Sequence, residues 1–327
     1  MDRRDFLRTV SAAGLLPWLD PAYLHARNAL LTGAPPAGPV PRRPYGRTAD
    51  TLSLVGFGGI VVMNATPADA SRYVGEAFEA GVTYFDVAPT YGNAQERLGP
   101  ALAPYRERCF LACKTTEREA AGARRELEES LRFLQTDHFD LYQLHAITAV
   151  GDVDRAFAKG GAMEVLIEQK KAGTIRYLGF SAHSEEAAHA ALDRYPFDSV
   201  LFPLSFATWL KGDFGPSVHA RASKEGRGIL ALKAMAYQKW SAGAEAKRAR
   251  WKKAWYEPLD TIDRVALGLR FTAHLPVDAM VPPGEWDLFR MAVQLAQAGA
   301  LTPLTAQERA AVAEMAAASD PVFSRHA

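Results

Sequence analysis

Cysteine is nearly missing from this sequence: there are two in 327 residues, Cys109 and Cys113. Four positions apart in an apolar run that reads as a strand, they stand roughly 13 Å from each other, too far to bridge, and they read as buried thiols that say little about redox compartment. An excess of one charge is missing too. The 38 Lys and Arg against 37 Asp and Glu leave a net charge of +1, which gives no electrostatic footprint for nucleic acid, and no long acidic or basic tail occurs. The densest basic run, KRARWKK from Lys247 to Lys253, reads as a solvated helix face. No set of His, Cys and Asp has metal-ligand spacing. No Gly-x-Gly-x-x-Gly turn follows the first apolar run, where Phe57-Gly58-Gly59 is only a glycine-rich turn, and this argues against a doubly wound sheet.

What is present begins at the N-terminus. In MDRRDFLRTVSAAGLLPWLD the pair Arg3 and Arg4, then Phe6 and Leu7, then an Ala/Leu-rich stretch too brief to span a bilayer, look like a twin-arginine export signal. That likeness implies the twin-arginine export machinery as a partner and a periplasmic or otherwise exported protein, cytoplasmic if the signal is unused. The competing reading is an amphipathic helix whose arginines are accidental. Pro35, Pro36, Pro39, Pro41 and Pro44 mark a linker. The expected organisation is therefore signal and linker over residues 1–43, one folded domain over 44–300 and a helical C-terminal extension over 301–327.

From Leu52 onward short apolar runs alternate with helical patterns. Eight strands are expected: Leu52 to Phe57, Val82 to Phe85, Cys109 to Cys113, Phe139 to Leu144, Ile175 to Phe180, Ser199 to Phe202, Gly228 to Leu232 and Val277 to Val281. Runs this short and this apolar suit parallel strands buried on both faces. Thr66 with Pro67 opens a helix that Gly81 stops, Ser184 opens another, and Thr305 with Glu308 has capping-box spacing. Eight strand-helix units fit an α/β fold of the closed (β/α)8 TIM-barrel kind, as a single domain.

Barrels of this kind gather chemistry at the C-terminal ends of their strands. In FDVAPTYGNAQERLG, Phe85 to Gly99, the second strand ends at Asp86 and Tyr91 follows after a turn. The third strand, CFLAC, ends at Lys114, and the fourth, FDLYQLH, ends at His145. Singly, such a carboxylate reads as a cap, such a lysine as a surface residue and such a histidine as core. On adjacent strand ends they converge.

With the lysine in LACKTT, the histidine in DLYQLHAI and the stretch GTIRYLGFSAHS, Gly173 to Ser184, this order of motifs resembles the aldo-keto reductase family over Pro44 to about Leu295. The resemblance implies a catalytic set of Asp86, Tyr91, Lys114 and His145 acting with NAD(P)H on a carbonyl or alcohol. Tyr91 is then the general acid/base. Lys114 lowers its pKa from the ordinary phenol value, Asp86 holds Lys114, and His145 hydrogen-bonds the substrate oxygen. Cofactor contacts are implied at Gly58, Ser181, Lys233, Pro283, Gly284 and Arg290.

The cofactor side departs from the family pattern: Ala182 stands where Asn is usual, Phe202 where Gln is usual, and Leu232 where an aromatic stacks on the nicotinamide. Glu285 and Asp287 come before Arg290 near the expected 2'-phosphate position, which leans the cofactor to NAD(H). The segment Lys233 to Pro258 is rich in Trp and Tyr. Of its aromatics, Tyr237 and Trp255, with His183 and Trp209, are candidates to contact a sugar-like substrate, though such residues serve equally to cover a barrel edge. Two other functions share the motifs: a redox-neutral sugar epimerase or lyase with retained NAD(P), and a non-catalytic nucleotide-sensing subunit.

Overall fold

The computed structural model describes residues 19–33 and 38–325; Arg3, Arg4 and the rest of the expected export signal lie outside the described residues. The first two strands, β1 (Arg42–Pro44) and β2 (Thr51–Ser53), form a hairpin. Its loop drives Tyr45, fully buried, into the N-terminal end of the barrel, edge-to-face with Phe110 at 5.1 Å between ring centroids. Gly228 has to lack a side chain there, because a Cβ would stand 2.5 Å from the Tyr45 ring.

The barrel strands are β3 (Phe57–Gly58), β4 (Tyr84–Asp86), β5 (Phe110–Thr115), β6 (Phe139–Ile147), β7 (Ile175–Ala182), β8 (Ser199–Pro203) and β9 (Gly228–Leu232). A short antiparallel pair, β10 (Ala236–Gln238) with β11 (Glu257–Pro258), precedes the last barrel strand, β12 (Ala279–Val281). Each barrel strand pairs in parallel with its neighbour in chain order, except that β9 pairs with β12. The ring closes where Val55 bridges Met280, with Gly56 N–H donating to Met280 O and Met280 N–H to Leu54 O, both at 2.8 Å. This is the expected (β/α)8 barrel.

The first expected strand, Leu52 to Phe57, is in fact two. The Ser53 hydroxyl donates to Val55 O at 2.9 Å and accepts from the Thr83 and Tyr84 amides, so a side chain replaces the ladder and lets residues 51–53 turn away into the hairpin.

The helices start where expected. Thr66 caps Pro67–Glu79 by accepting from Asp69 N, and Ser184 caps Glu185–Arg194. The Thr305–Glu308 capping box opens Ala306–Ala318, the C-terminal extension. The linker reading needs correction in part. Within it, Pro21–Thr32 is a helix, capped by Asp20 and docked on Ile262–Ala273, where Asp263 accepts from Tyr23 Oη at 2.7 Å and pairs with Arg27 at 2.6 Å. The basic run is half as expected. Helix Glu245–Arg250 buries nothing, but Trp251 beyond it is buried.

After Ala318 the chain runs back over the barrel mouth. Lys211 Nζ donates to Ala317 O at 2.8 Å, Arg325 pairs with Glu185 at 2.9 Å and Asp213 at 3.0 Å, and Arg325 N–H donates to Gly212 O. Phe323 is thereby held over the strand ends. No helix among the described residues is long and apolar enough to cross a membrane.

Candidate active site

Side chains on a strand alternate between faces. Tyr84, Phe110, Ala112, Leu141, Leu201, Leu230 and Ala279 point into the barrel and form its inner cluster. Counting on by twos from Tyr84, Ala112 and Leu141 gives Asp86, Lys114 and then Gln143 and His145. The register pairs Asp86 with Ala112 and Lys114 with Gln143, so these polar groups form one layer above the apolar plug. Local chain geometry refines it. A register shift between Leu144 and Ile147, with Ala146 at φ +53, turns the strand out of its ladder just past His145. That corner is pinned by Ser181 Oγ, which accepts from Ala146 N at 2.8 Å, and by Arg118, which donates to His145 O at 2.7 Å.

The layer is tightly bonded. Lys114 Nζ, fully buried, pairs with Asp86 Oδ1 and donates to Val87 O at 3.3 Å. Asp86 Oδ2 accepts from Tyr84 Oη at 2.9 Å and from Gln143 Nε2 at 3.3 Å. Tyr91 leans over the pair from the turn after β4, its ring centroid 5.5 Å from Lys114 Nζ and 5.7 Å from the His145 ring, which stands near-perpendicular at 85°. Burial works to discharge Lys114, but the Asp86 carboxylate and Tyr91 hold its pKa above the ordinary value. Burial, together with the cations Lys114, Arg118 and Lys233 and the neighbouring His183, pushes His145 down to about 2, so its imidazole is neutral. Its Nδ1 is buried without a protein partner.

For Tyr91 the expected sign is reversed. Burial raises its pKa, Lys114 only opposes the rise, and the phenol is held protonated above its ordinary value.

These side chains line a cavity of about 250 Å³ at the C-terminal ends of the strands. It also takes in Gly58, Ser181, His183, Lys233, Trp255, Pro283 and Gly284 from the expected residues, and Ile60, Leu232, Lys253 and Tyr256 besides. Three expected residues do not line it. Arg290 is exposed on the outer side of helix Trp286–Gln297, in a groove with Glu76 and Glu79. Trp209 packs edge-on against His219 at 5.3 Å, and Tyr237 lies under the Arg264 guanidinium at 4.4 Å. Both are barrel cover, the other role open to such aromatics. Tyr84 and Gln143, which brace Asp86, carried a signal that went unused: each stands two residues before an inward polar group. Phe323 carried none. It arrives from the far end of the chain and stacks on His183 at 5.1 Å and on Phe214 at 5.3 Å, and Phe214 in turn stacks on Phe202.

Residues 55–214 match the model of the aldo/keto reductase family. Among curated relatives, the uncharacterized oxidoreductase YqkF of Bacillus subtilis is 30% identical over 43% of this chain and 48% of its own length. The L-galactose dehydrogenase of Arabidopsis thaliana is 28% identical over 50% of this chain and 55% of its own. The chain thus spans about half the length of these curated relatives. The solved aldo-keto reductase AKR11C1 from Bacillus halodurans, in its holo form, superposes with a TM-score of 0.66 at 24% identity, covering 88% of this chain and 99% of that one, which extends the common fold to the whole barrel.

A dinucleotide of the kind the family resemblance implies has a fitting set of groups here. Pro282, Pro283 and Gly284 line the cavity just before helix Trp286–Gln297, whose first N–H groups are a natural phosphate cradle. Lys253 crosses the barrel seam beside it, its Nζ donating to Val61 O at 2.8 Å and its N–H to Glu285 Oε1 at 2.5 Å. At the other end Ser181 is a hydroxyl for the carboxamide, while Phe202 is buried under Phe214 and Leu232 gives an aliphatic wall. Among the described residues no group of three or more His, Cys, Asp and Glu could hold a metal ion.

The cradle is sterically specified. A Cβ on Gly284 would meet Ile60 Cγ2 at 2.2 Å and Ile60 Cβ at 2.5 Å. Gly284→Ala is therefore expected to part the first and last strands at the seam, cost about 1–3 kcal/mol of stability as an overpacked site, and weaken dinucleotide binding. A thermal melt and a fluorescence titration check both.

Proposed function

We propose that the chain is a nicotinamide-dependent oxidoreductase that interconverts a carbonyl compound and its alcohol, with Tyr91 as the general acid/base. The observation that carries this reading is the convergence of Tyr91, Lys114, Asp86 and His145 on one wall of one cavity. A bound nicotinamide supplies the hydride. Tyr91 delivers the proton that the carbonyl oxygen needs as charge grows on it, and recovers it in the reverse direction. Lys114, kept charged by Asp86, stabilises the phenolate that Tyr91 becomes. His145, kept neutral, is a hydrogen-bond donor that orients the oxygen rather than a second acid. Tyr84 and Gln143 hold Asp86 in place.

Gly58, Pro283, Gly284, Lys253 and Ser181 hold the dinucleotide in this reading. The cradle carries Glu285 and Asp287, and Arg290 points away from it, so the preferred cofactor is NAD(H). Trp255, which is 59% exposed at the cavity rim, suits the flat face of a sugar-like substrate, as does the relative whose name makes it an L-galactose dehydrogenase.

The reading is tested by NADH and NADPH oxidation against aldehydes, ketones and keto-sugars, with turnover of none of them refuting it. NADH is expected to quench tryptophan fluorescence at a lower concentration than NADPH; tighter binding of NADPH would reverse the cofactor preference.

A further inference from the structure

Among the described residues, Lys233 is the one cationic side chain of the cavity that neither the proton transfer nor the phosphate cradle uses. It follows β9 in left-handed backbone, φ +66, a conformation that side chains other than Gly and Asn rarely adopt, and it is only 7% exposed. Its Nζ stands 3.5 Å from His183 Nε2 and faces the rings of Trp255 at 5.1 Å and Phe323 at 5.4 Å. No carboxylate among the described residues compensates it: burial alone acts on its ammonium, pulling it down to about 7.

His183 gives no counter-charge: burial and Lys233 keep its ring neutral, and protonating it would only add a second cation. Among the described residues three lysines and a single aspartate line the cavity, and Lys114 already takes Asp86. A buried amine in this position gives up its proton near neutral pH unless an anion beside it holds the charge. Trp255 and the pinned Phe323 keep water off the amine, so an anion that reaches it is bound strongly.

We propose that Lys233 is a specificity-determining residue that binds a carboxylate on the substrate, making the preferred carbonyl compound a sugar acid or another short polyhydroxy acid. The proposal rests on the oxidoreductase reading for the carbonyl and on Lys233 alone for the acid. The dinucleotide's phosphates are the other source of anionic charge. They belong to the side of the mouth where Lys253, Pro283 and Gly284 stand, next to β12, whereas the Lys233 amine reaches to His183 at the end of β7.

The test uses matched pairs that differ in a carboxylate: D-glucuronate with D-glucose, D-galacturonate with D-galactose, and glyoxylate with glycolaldehyde. Each is measured by NADH turnover and, separately, by calorimetric binding to the full chain. The acid is expected to be preferred by tenfold or more in at least one pair. Lys233→Met, which keeps the side-chain volume, should raise KM or Kd for that acid by about a hundredfold, the loss of a charge-assisted bond to a desolvated group. It should cost the neutral partner far less affinity than the acid, and the variant should melt no lower than the parent, since it removes an uncompensated buried amine. Lys233→Arg should recover part of the preference.

Absence of any preference for the acid in all three pairs overturns the proposal. So does a Lys233→Met variant that loses affinity for NADH while handling the acids unchanged, because the amine's partner would then be a cofactor phosphate. Binding of an acid that Lys233→Met abolishes, without turnover of anything, upholds the carboxylate site and refutes the oxidoreductase reading instead.

Discussion

Tyr91→Phe should lower kcat for carbonyl reduction by roughly a thousandfold, within the range set by loss of a positioned general acid, while the fluorescence titration with NADH stays unchanged. The substitution deletes one oxygen from a ring already held by the turn after β4, so fold and cofactor cradle are untouched. What is lost is the proton donor, and a thousandfold is about 4 kcal/mol of transition-state stabilisation. The pH profile separates this role from a structural one. Burial raises Tyr91 above the ordinary phenol value, so the donor stays protonated throughout the neutral range, and burial with the nearby cations drives His145 down to about 2. Neither group titrates between pH 5 and 9. Reduction by the parent should accordingly show no fall in kcat across that window from these two groups, and alcohol oxidation, which needs the phenolate, should rise with pH. A variant that keeps more than a tenth of the parent's kcat would remove Tyr91 from the chemistry.

The convergence behind that prediction was readable because it is periodic. Asp86, Lys114 and His145 each end an apolar run, and the two-residue repeat of a strand fixes which way such an end points once the strands are parallel. The same repeat marks Tyr84, two residues before Asp86, and Gln143, two residues before His145, as inward-facing neighbours of the site. What was not readable depends on distance along the chain or on solvation. Trp209 and Tyr237 are as aromatic as Trp255, and only packing against His219 and Arg264 shows that they face elsewhere. Arg290 sits one helical turn into Trp286–Gln297, and which face it takes is decided by the apolar stripe Leu288, Phe289, Ala292 and Val293 that turns inward. The sign of the Tyr91 shift is a contest between an ammonium and desolvation, and no sequence pattern reports desolvation. The first strand failed for a local reason: the Ser53 hydroxyl, an ordinary polar residue in sequence, replaces two backbone partners and ends the ladder. Phe323 could not be placed at all, since its position follows from the docking of Ala306–Ala318.

That docking leads to the second large effect. Glu308→Ala should destabilise the protein by about 3–5 kcal/mol, the usual result of removing one partner from a buried ion pair, lowering the melting temperature by roughly 5–10 °C for a chain of this size. Glu308 was expected only as the far half of a capping box, a role worth about 1 kcal/mol. It does more. Arg270, fully buried, meets its two oxygens at 2.6 and 2.8 Å, the Asp20 amide donates to it at 2.9 Å, and Thr305 N–H donates at 2.7 Å. One carboxylate thus joins the N-terminal helix, the helix Ile262–Ala273 that precedes the last barrel strand, and the C-terminal extension. Without it the Arg270 charge keeps, among the described residues, the Thr302 and Pro303 carbonyls at 2.9 Å each and the Tyr23 ring, whose centroid is 5.2 Å away. Arg270→Met with Glu308→Leu, which removes both charges, should recover much of the loss and so separates the unpaired cation from the missing contacts. The pH dependence follows in sign. Burial acts to raise Glu308, but the bonds from Arg270, Asp20 and Thr305 outweigh it and hold its pKa below the ordinary carboxylate value. Its contribution is complete above the unfolded value and is lost as pH falls through the depressed one. Parent and Glu308→Gln stabilities should therefore differ most at neutral pH and approach each other in acid. Because Ala306–Ala318 leads directly into the segment that carries Phe323 to the mouth, Glu308→Ala should also loosen the cover over Lys233, and the affinity for the preferred acid should fall before the protein unfolds. A Glu308→Ala protein that melts within 2 °C of the parent, a shift under about 1 kcal/mol, would show that the C-terminal extension is not anchored through this pair.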